Sequence, residues 1–542
     1  MTLHAQMPLS HADDAAPVPA GSLRFRITTA WTRYDERFAA AGGIEPLSAD
    51  LSRAALGVAE LPLLEPTEAS LKTLSGDPAV RLSLGRLEVR GGARVATTPI
   101  SLEYGITHRL SVGVQVPIVQ TRRVVQLRVN NDTTALANVA WLSGSERGTA
   151  AVQNQTVANA FNDAARQLAA LITVCTSNAG ATGCGPVNAN PAAAAAARDQ
   201  AIAYATAVSA LGVDVSTALL APRKGSALQT TIDARRVALN QTLQQFLGAN
   251  AGSSVAVFST PTNFSYVDLQ GRNGVPGLLQ SALGGGIDSM HTADRLGIGD
   301  IAVGAQYLLF DRFARGAEPV PSLQSRMLVG AQMRFATSRA DSAQDLVDIA
   351  PGEGAGLELH SALDLLSGRF GATVAARYVK AFARTTTAPV YGDPESTYPF
   401  PVFAERQRTA GDVLGVDLTP RYFFSDWFSV DALYGLEHVG ATHYDAAQQQ
   451  LANPDIGFPT CVGCQVVVPP AVETTSGSST TAHRLGFGFR FSTVDAFARR
   501  RASFPIEVSF AHLETVSGNA NLAKASRDQI QLRFYYRLRR AD

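Results

Sequence analysis

Ser322-Leu-Gln-Ser-Arg-Met-Leu-Val-Gly-Ala-Gln-Met-Arg-Phe335 decides the fold. Leu323, Met327, Val329, Ala331, Met333 and Phe335 fall on odd positions, with only Ser325 polar among them. Gln324, Arg326, Gly330, Gln332 and Arg334 fall on even positions, with Leu328 the exception. Strand side chains point to opposite faces with period two, so one face is oily and the other wet. Repeated long stretches of this kind, separated by turns, are the signature of a barrel that crosses a bacterial outer membrane.

Working outward, the same alternation marks a strand near Leu23 to Asp35, where Arg24 and Arg26 oppose Phe25 and Ile27. A loop rich in Gly, Pro and Leu runs from there to about Gly92. A second strand ends at Tyr104, the turn Gly105-Ile-Thr-His108 follows, and a third spans Leu110 to Ile118. Residues 130–295 then lose the period and read as helix and loop, with helices expected near 150–174, 191–211 and 226–247. Pro191 suits a first helical turn and Gly248 a helix end. Strands resume at Leu296 and recur at 322–335, 357–366, 372–384, 414–424, 428–437, 485–491, 506–510 and 530–538.

The fold expected is therefore an all-β transmembrane barrel of about twelve antiparallel strands with a mainly α-helical extracellular insertion. The chain divides into a leader remnant (1–20), strands 1–3 (21–129), the insertion (130–295) and strands 4–12 (296–542). Short and long connections alternate, as they do in barrels whose short turns are periplasmic and whose long loops are external. That places both termini in the periplasm and the insertion outside. Trp31, Tyr104, Tyr307, Tyr422, Phe424, Trp427, Phe428 and Tyr536 lie near strand ends, where interfacial girdles form. A soluble β-sandwich would need those aromatics in a core and would not carry so many charges on the opposite face.

Composition narrows the function. The chain has 542 residues, 46 basic and 46 acidic, so no nucleic-acid footprint appears. Mean hydropathy is +0.04. No run of about 18 or more apolar residues offers a membrane-spanning helix, which leaves barrel strands untouched. No complete secretory signal precedes Leu3-His-Ala-Gln6, which resembles the tail of one, so the true start is expected upstream. Cys175 with Cys184, and Cys461 with Cys464, form two local pairs expected to be disulfides in exported loops. A zinc site at Cys461 and Cys464 would need two more ligands nearby, and none sits beside them.

The polar face collects charges of both signs. Lumen-lining candidates are Arg24, Arg26, Glu103, Asp300, Arg326, Arg334, Glu358, His360, Asp364, Arg377, Asp417, Arg421, Asp431, Glu437, Arg490, Glu507 and Arg533. They either screen solutes along a polar pathway or pair across the interior and plug it, since unpaired buried charge is expensive. A nucleophile and base within reach are not evident. His360 and Ser361 are adjacent and point to opposite faces, while His438, His483 and His512 sit near strand ends without an evident partner. Neither an enzyme nor a cofactor or metal is expected.

Leu102-Glu-Tyr-Gly-Ile-Thr-His-Arg-Leu-Ser-Val-Gly-Val-Gln-Val-Pro117 and Gly297-Ile-Gly-Asp-Ile-Ala-Val-Gly-Ala-Gln-Tyr-Leu-Leu-Phe310 resemble two stretches of a known family. It comprises bacterial outer-membrane barrels of the phenol meta-cleavage-pathway type, loosely related to hydrophobic-compound transporters. The resemblance implies passage of small, often aromatic or apolar, compounds across the outer membrane. The helical insertion and the ending Arg-Leu-Arg-Arg-Ala-Asp depart from the family pattern. The expected partners are outer-membrane lipid and a small solute. The alternative is a surface-display barrel whose 130–295 segment binds an extracellular or envelope protein.

Overall fold

A computed structural model describes residues 14–61, 64–130, 137–272, 276–281, 290–313, 321–339, 351–352, 354–389, 403–446, 474–476, 479–498 and 501–537. The first thirteen residues of the expected leader, and Cys461 and Cys464, lie outside the described residues.

Twelve antiparallel strands close into a ring. They are β1 (Ser22–Phe38), β2 (Leu87–Gly105), β3 (Leu110–Val129), β4 (Ala302–Asp311), β5 (Gln324–Arg334), β6 (Gly356–Ser367), β7 (Phe370–Ala381), β8 (Val413–Ser425), β9 (Phe428–Val439), β10 (Thr480–Ser492), β11 (Ile506–Gly518) and β12 (Ala523–Arg537). Each pairs with its neighbour in sequence, and β1 pairs with β12 to seal the seam. The 14-stranded sheet contains two further short pieces, Ile44–Pro46 beside β1 and Ala293–Ile298 beside β3. Closure leaves no open edge, which hydrocarbon would not tolerate.

The wall is inside-out. Ile530, Phe534 and Tyr536 face outward on β12 and are exposed, while Arg527, Gln529, Gln531 and Arg533 of the opposite parity are buried. From Asp528 to Tyr536 the strand spans nine residues, about 27 Å along its axis and roughly 20 Å along the membrane normal at ordinary tilt. At the short-turn end, Phe370, Tyr422, Phe424, Trp427, Phe428 and Phe491 form a chain of ring contacts, a girdle at one interface.

Several strands run past that band. β3 continues to Val129, β10 starts at Thr480, β11 ends at Gly518 and β12 starts at Ala523, all longer than the sequence pattern predicts. Beyond the lipid both faces meet water, so outward Arg94 and Arg122 replace apolar residues and the alternation fades. The long connections also carry structure. Arg384–Pro389, Phe403–Thr409, Thr442–Tyr444 and Thr474–Ser476 pair into a four-stranded sheet where loops were expected.

A helical unit stands on the long ends of β2 and β3. Its helices are α1 (Glu65–Ser75), α2 (Gly144–Ser177), α3 (Pro191–Ala210) and α4 (Ala227–Leu247). α1 corrects the sequence reading, which left 36–92 as loop. Its signals were Pro66 in the first turn, the buried Leu64, Leu71 and Leu74, and Gly76 at φ 70° ending it. Ser143 and Glu146 cap α2 reciprocally, Asn190 caps α3 and Ser226 caps α4. Ala194, Ala197, Ala201 and Ala205 present a small-residue stripe on α3, so it packs closely on α2, with Phe161 and Tyr204 rings 4.7 Å apart. The core joins these helices to Leu87, Val89 and Val129 of the strand ends. Asn130 ties the junction: its amide donates to Leu84 O and Phe264 O and accepts from Arg86 N, each at 2.8 Å. Cys175 and Cys184 are joined in a disulfide between α2 and the short helix Gly185–Ala189.

Candidate functional site: the barrel lumen

The inward face of the wall is a set of ion-pair clusters stacked along the lumen. At the short-turn end, Arg24 pairs with Glu103, its Nε at 3.1 Å, and Arg26 donates to the other Glu103 oxygen at 2.7 Å. Arg421 pairs with Asp431 at 2.7 Å. Farther along, Glu437 accepts from Arg377 at 2.5 Å and from Arg484 at 2.7 Å. Charge-assisted pairs of this kind offset the cost of removing both partners from bulk water.

A short piece of chain enters this interior. Asp14 Oδ2 accepts from Arg533 at 2.7 Å and from Arg490 at 3.2 Å, and Glu507 stands 3.5 Å from Arg490 and 3.6 Å from Arg533. Ala15 N donates to Asp364 at 3.0 Å, beside Arg326 and Thr373 on the same carboxylate. Arg24 donates to Ala16 O at 2.8 Å. Ala15 packs against Leu328 and Ala362. Leu328 breaks the alternation of the stretch quoted at the outset because it faces this segment, not water. Residues 14–20, expected as the end of a leader remnant, thus sit as a tethered strap within the barrel.

Beside the strap lies a cavity of about 100 Å³ lined by Arg26, Gln115, Gln306, Gln332, Glu358 and His360, among others. Arg334, Arg377, Asp417 and Arg533 also border it. His360 Nδ1 is 3.6 Å from Glu358, and its Nε2 is 3.4 Å from Gln306. The ring lies over Gly330, where a Cβ would come within 2.3 Å of Nε2, so any larger residue there would have to push the His360 ring aside.

Asp300 does a different job from the one expected of a lumen residue. It is fully buried and accepts from Gly354 N at 2.7 Å and Ser338 N at 3.0 Å. The carboxylate thus ties Ser338, just after β5, to Gly354, just before β6. Arg334 supports it by donating to Gly354 O at 3.0 Å.

Sequence reasoning set Gln115, Gln306 and Gln332 on the polar face without naming them as lumen candidates, and it missed Asp14, Arg484 and Arg527. Arg484 and Arg527 keep the inward parity of Arg490 and Arg533, but lie beyond the point where outward residues stop being apolar. The three histidines expected to lack partners have them: Tyr434 OH lies 3.0 Å from His483, Asp528 2.8 Å from His512 and Thr481 3.0 Å from His438. Among the described residues, no group of three or more His, Cys, Asp or Glu is placed to hold a metal.

No protein-family model and no curated protein matches this sequence. Solved structures do resemble the chain. An outer membrane channel from Pseudomonas putida F1 aligns over 96% of this chain and 98% of its own, at 8% identity and a TM-score of 0.39. The P. putida toluene transporter TodX aligns over 97% and 91%, at 9% identity and 0.24. The translocator domain of autotransporter NalP from Neisseria meningitidis aligns over 95% and 88%, at 8% identity and 0.26. At such values the architecture rests on this chain's own strand register.

Proposed function

We propose that the chain is a narrow outer-membrane channel for small molecules, with the short turns and both termini periplasmic and the helical unit outside. The observation that carries this is the inverted wall. A closed ring exposes a girdled apolar band and keeps its charges within. Glu103, Glu358, His360, Arg26, Arg334, Arg377 and Asp417 screen what passes. The remaining pairs, Arg326 with Asp364, Arg421 with Asp431 and Glu507 with Arg490 and Arg533, hold the strap and the wall. A twelve-strand ring lies between side-chain-filled eight-strand barrels and open porins, so the strap governs how much lumen remains.

Planar-bilayer recording tests the reading. The purified protein should insert and give small, discrete conductance steps. Asp14→Ala, which removes the strap's anchor, should give larger ones. Protein that inserts stably yet never conducts, with or without that substitution, contradicts it.

A further inference from the structure

A buried charge in the lumen lacks a counterpart among the described residues. Arg527 on β12 is 5% exposed. Among the described residues it makes no hydrogen bond and no ion pair, and its Nε is enclosed without an acceptor. The carboxylate that acts on it, Glu437, is already held by Arg377 and Arg484, and both guanidinium groups repel Arg527.

Apolar side chains also border it. Register places Leu513 directly opposite Arg527 on one side, and Thr32 on the other with Val95 beyond it. Leu513 packs with Leu433 and Ala511. One row nearer the long connections, Tyr34 packs with Leu47, Val95, Val119 and Ala525. Cross-strand neighbours on one face sit within side-chain reach, so aliphatic and aromatic groups border the guanidinium, together with the buried Thr32 and Gln529.

Arginine does not shed its proton in proteins, so this site cannot neutralise itself. A wall of Leu433, Leu513 and Tyr34 offers little to a strongly hydrated inorganic ion. The planar fork of Arg527 matches a carboxylate, and the surrounding wall matches an apolar body. We propose that this part of the lumen binds a small organic anion, a carboxylate carried on an apolar skeleton, with Arg527 as its recognition residue. The proposal rests on the channel reading and names a solute class for it.

The probe is 4-fluorobenzoate added to the full chain in detergent, read by ¹⁹F line broadening, with fluorobenzene as the neutral control. Binding of 4-fluorobenzoate but not fluorobenzene is expected. Arg527→Gln should weaken it about tenfold, the scale of one lost charge-assisted hydrogen bond. Leu513→Glu supplies an internal counter-ion opposite Arg527. It should abolish binding while the barrel keeps its resistance to heat in SDS, which guards against a variant that merely misfolds. Equal binding of both probes, binding unchanged in either variant, or displacement of 4-fluorobenzoate by equimolar chloride overturns the site. Protein that conducts in bilayers but ignores 4-fluorobenzoate sinks the site and leaves the channel. Protein that binds it but never conducts sinks the channel and leaves the site.

Discussion

The barrel wall and the helical unit spend the same apolar side chains in opposite ways. Phe487 and Phe489 point outward from β10 and are about half exposed, at 49% and 41%. Phe161, Leu168 and Leu239 of the helices are buried. Arginine reverses too: Arg490 and Arg533 are enclosed in the wall, while Arg166 on α2 lies on the surface. Each region hides from its surroundings what those surroundings solvate poorly. The difference teaches that one chain meets two solvents. The change occurs along β2 and β3, whose outer ends lie in the helical core.

Substitutions can break this comparison. The largest effect is expected for Phe161→Ala, which empties a fully buried site packed on Tyr204 and should cost about 3–5 kcal/mol. The loss should appear as early melting of the helical signal in circular dichroism while β signal persists. Melting of both together would show a single cooperative unit.

Phe487→Arg should destabilise the barrel in lipid by about 2–4 kcal/mol, because it sets a charge near mid-depth, midway between His483 and Phe491 on the outward face. Val152→Arg, at a helical position 70% exposed, should lie within about 0.5 kcal/mol of wild type. Urea titration in lipid vesicles measures both. Equal effects would erase the distinction between the two surfaces.

The smallest effect sharpens the contrast through pH. Burial alone would push the Glu68 carboxyl up, yet hydrogen bonds from Lys72 and the Leu82 amide hold it below the ordinary carboxylate range. Glu146 is held low likewise, against burial, by Ser143 and Thr260. A lowered folded pKa gives stability that is complete above the unfolded carboxylate value and is lost as pH falls through the folded one. Acidification below about pH 4, the ordinary carboxylate range, should therefore lower the helical melting temperature by a few degrees. Glu68→Gln together with Glu146→Gln should flatten that dependence.

How much of this was legible varied with position. Within the lipid band the alternation of β5, β6 and β12 reported both fold and inward face directly, because membrane and lumen impose opposite demands on neighbouring residues. Past the band that pressure disappears, so the ends of β3, β10, β11 and β12 were undercounted, and Arg484 and Arg527 with them. Asp300 carried the inward parity but serves backbone amides, since parity assigns a face and not a partner. Asp14 was illegible for another reason. Its role depends on Arg490 and Arg533, more than 470 positions away in the chain, and nothing local marks it. Leu328 was visible as an anomaly, and its explanation had to wait for Ala15.

Tryptophan quenching tests the inverted wall most directly. The chain has three tryptophans. Trp31 and Trp427 face outward near the ends of the band, 47% and 52% exposed, and Trp141 is buried in the helical unit at 8%. Three variants, each keeping one tryptophan and replacing the other two with phenylalanine, go into vesicles of brominated phospholipid. Strong quenching of Trp31 and Trp427 with none of Trp141 is the result predicted. Trp31 and Trp427 that ignore brominated lipid but respond to aqueous acrylamide would contradict it.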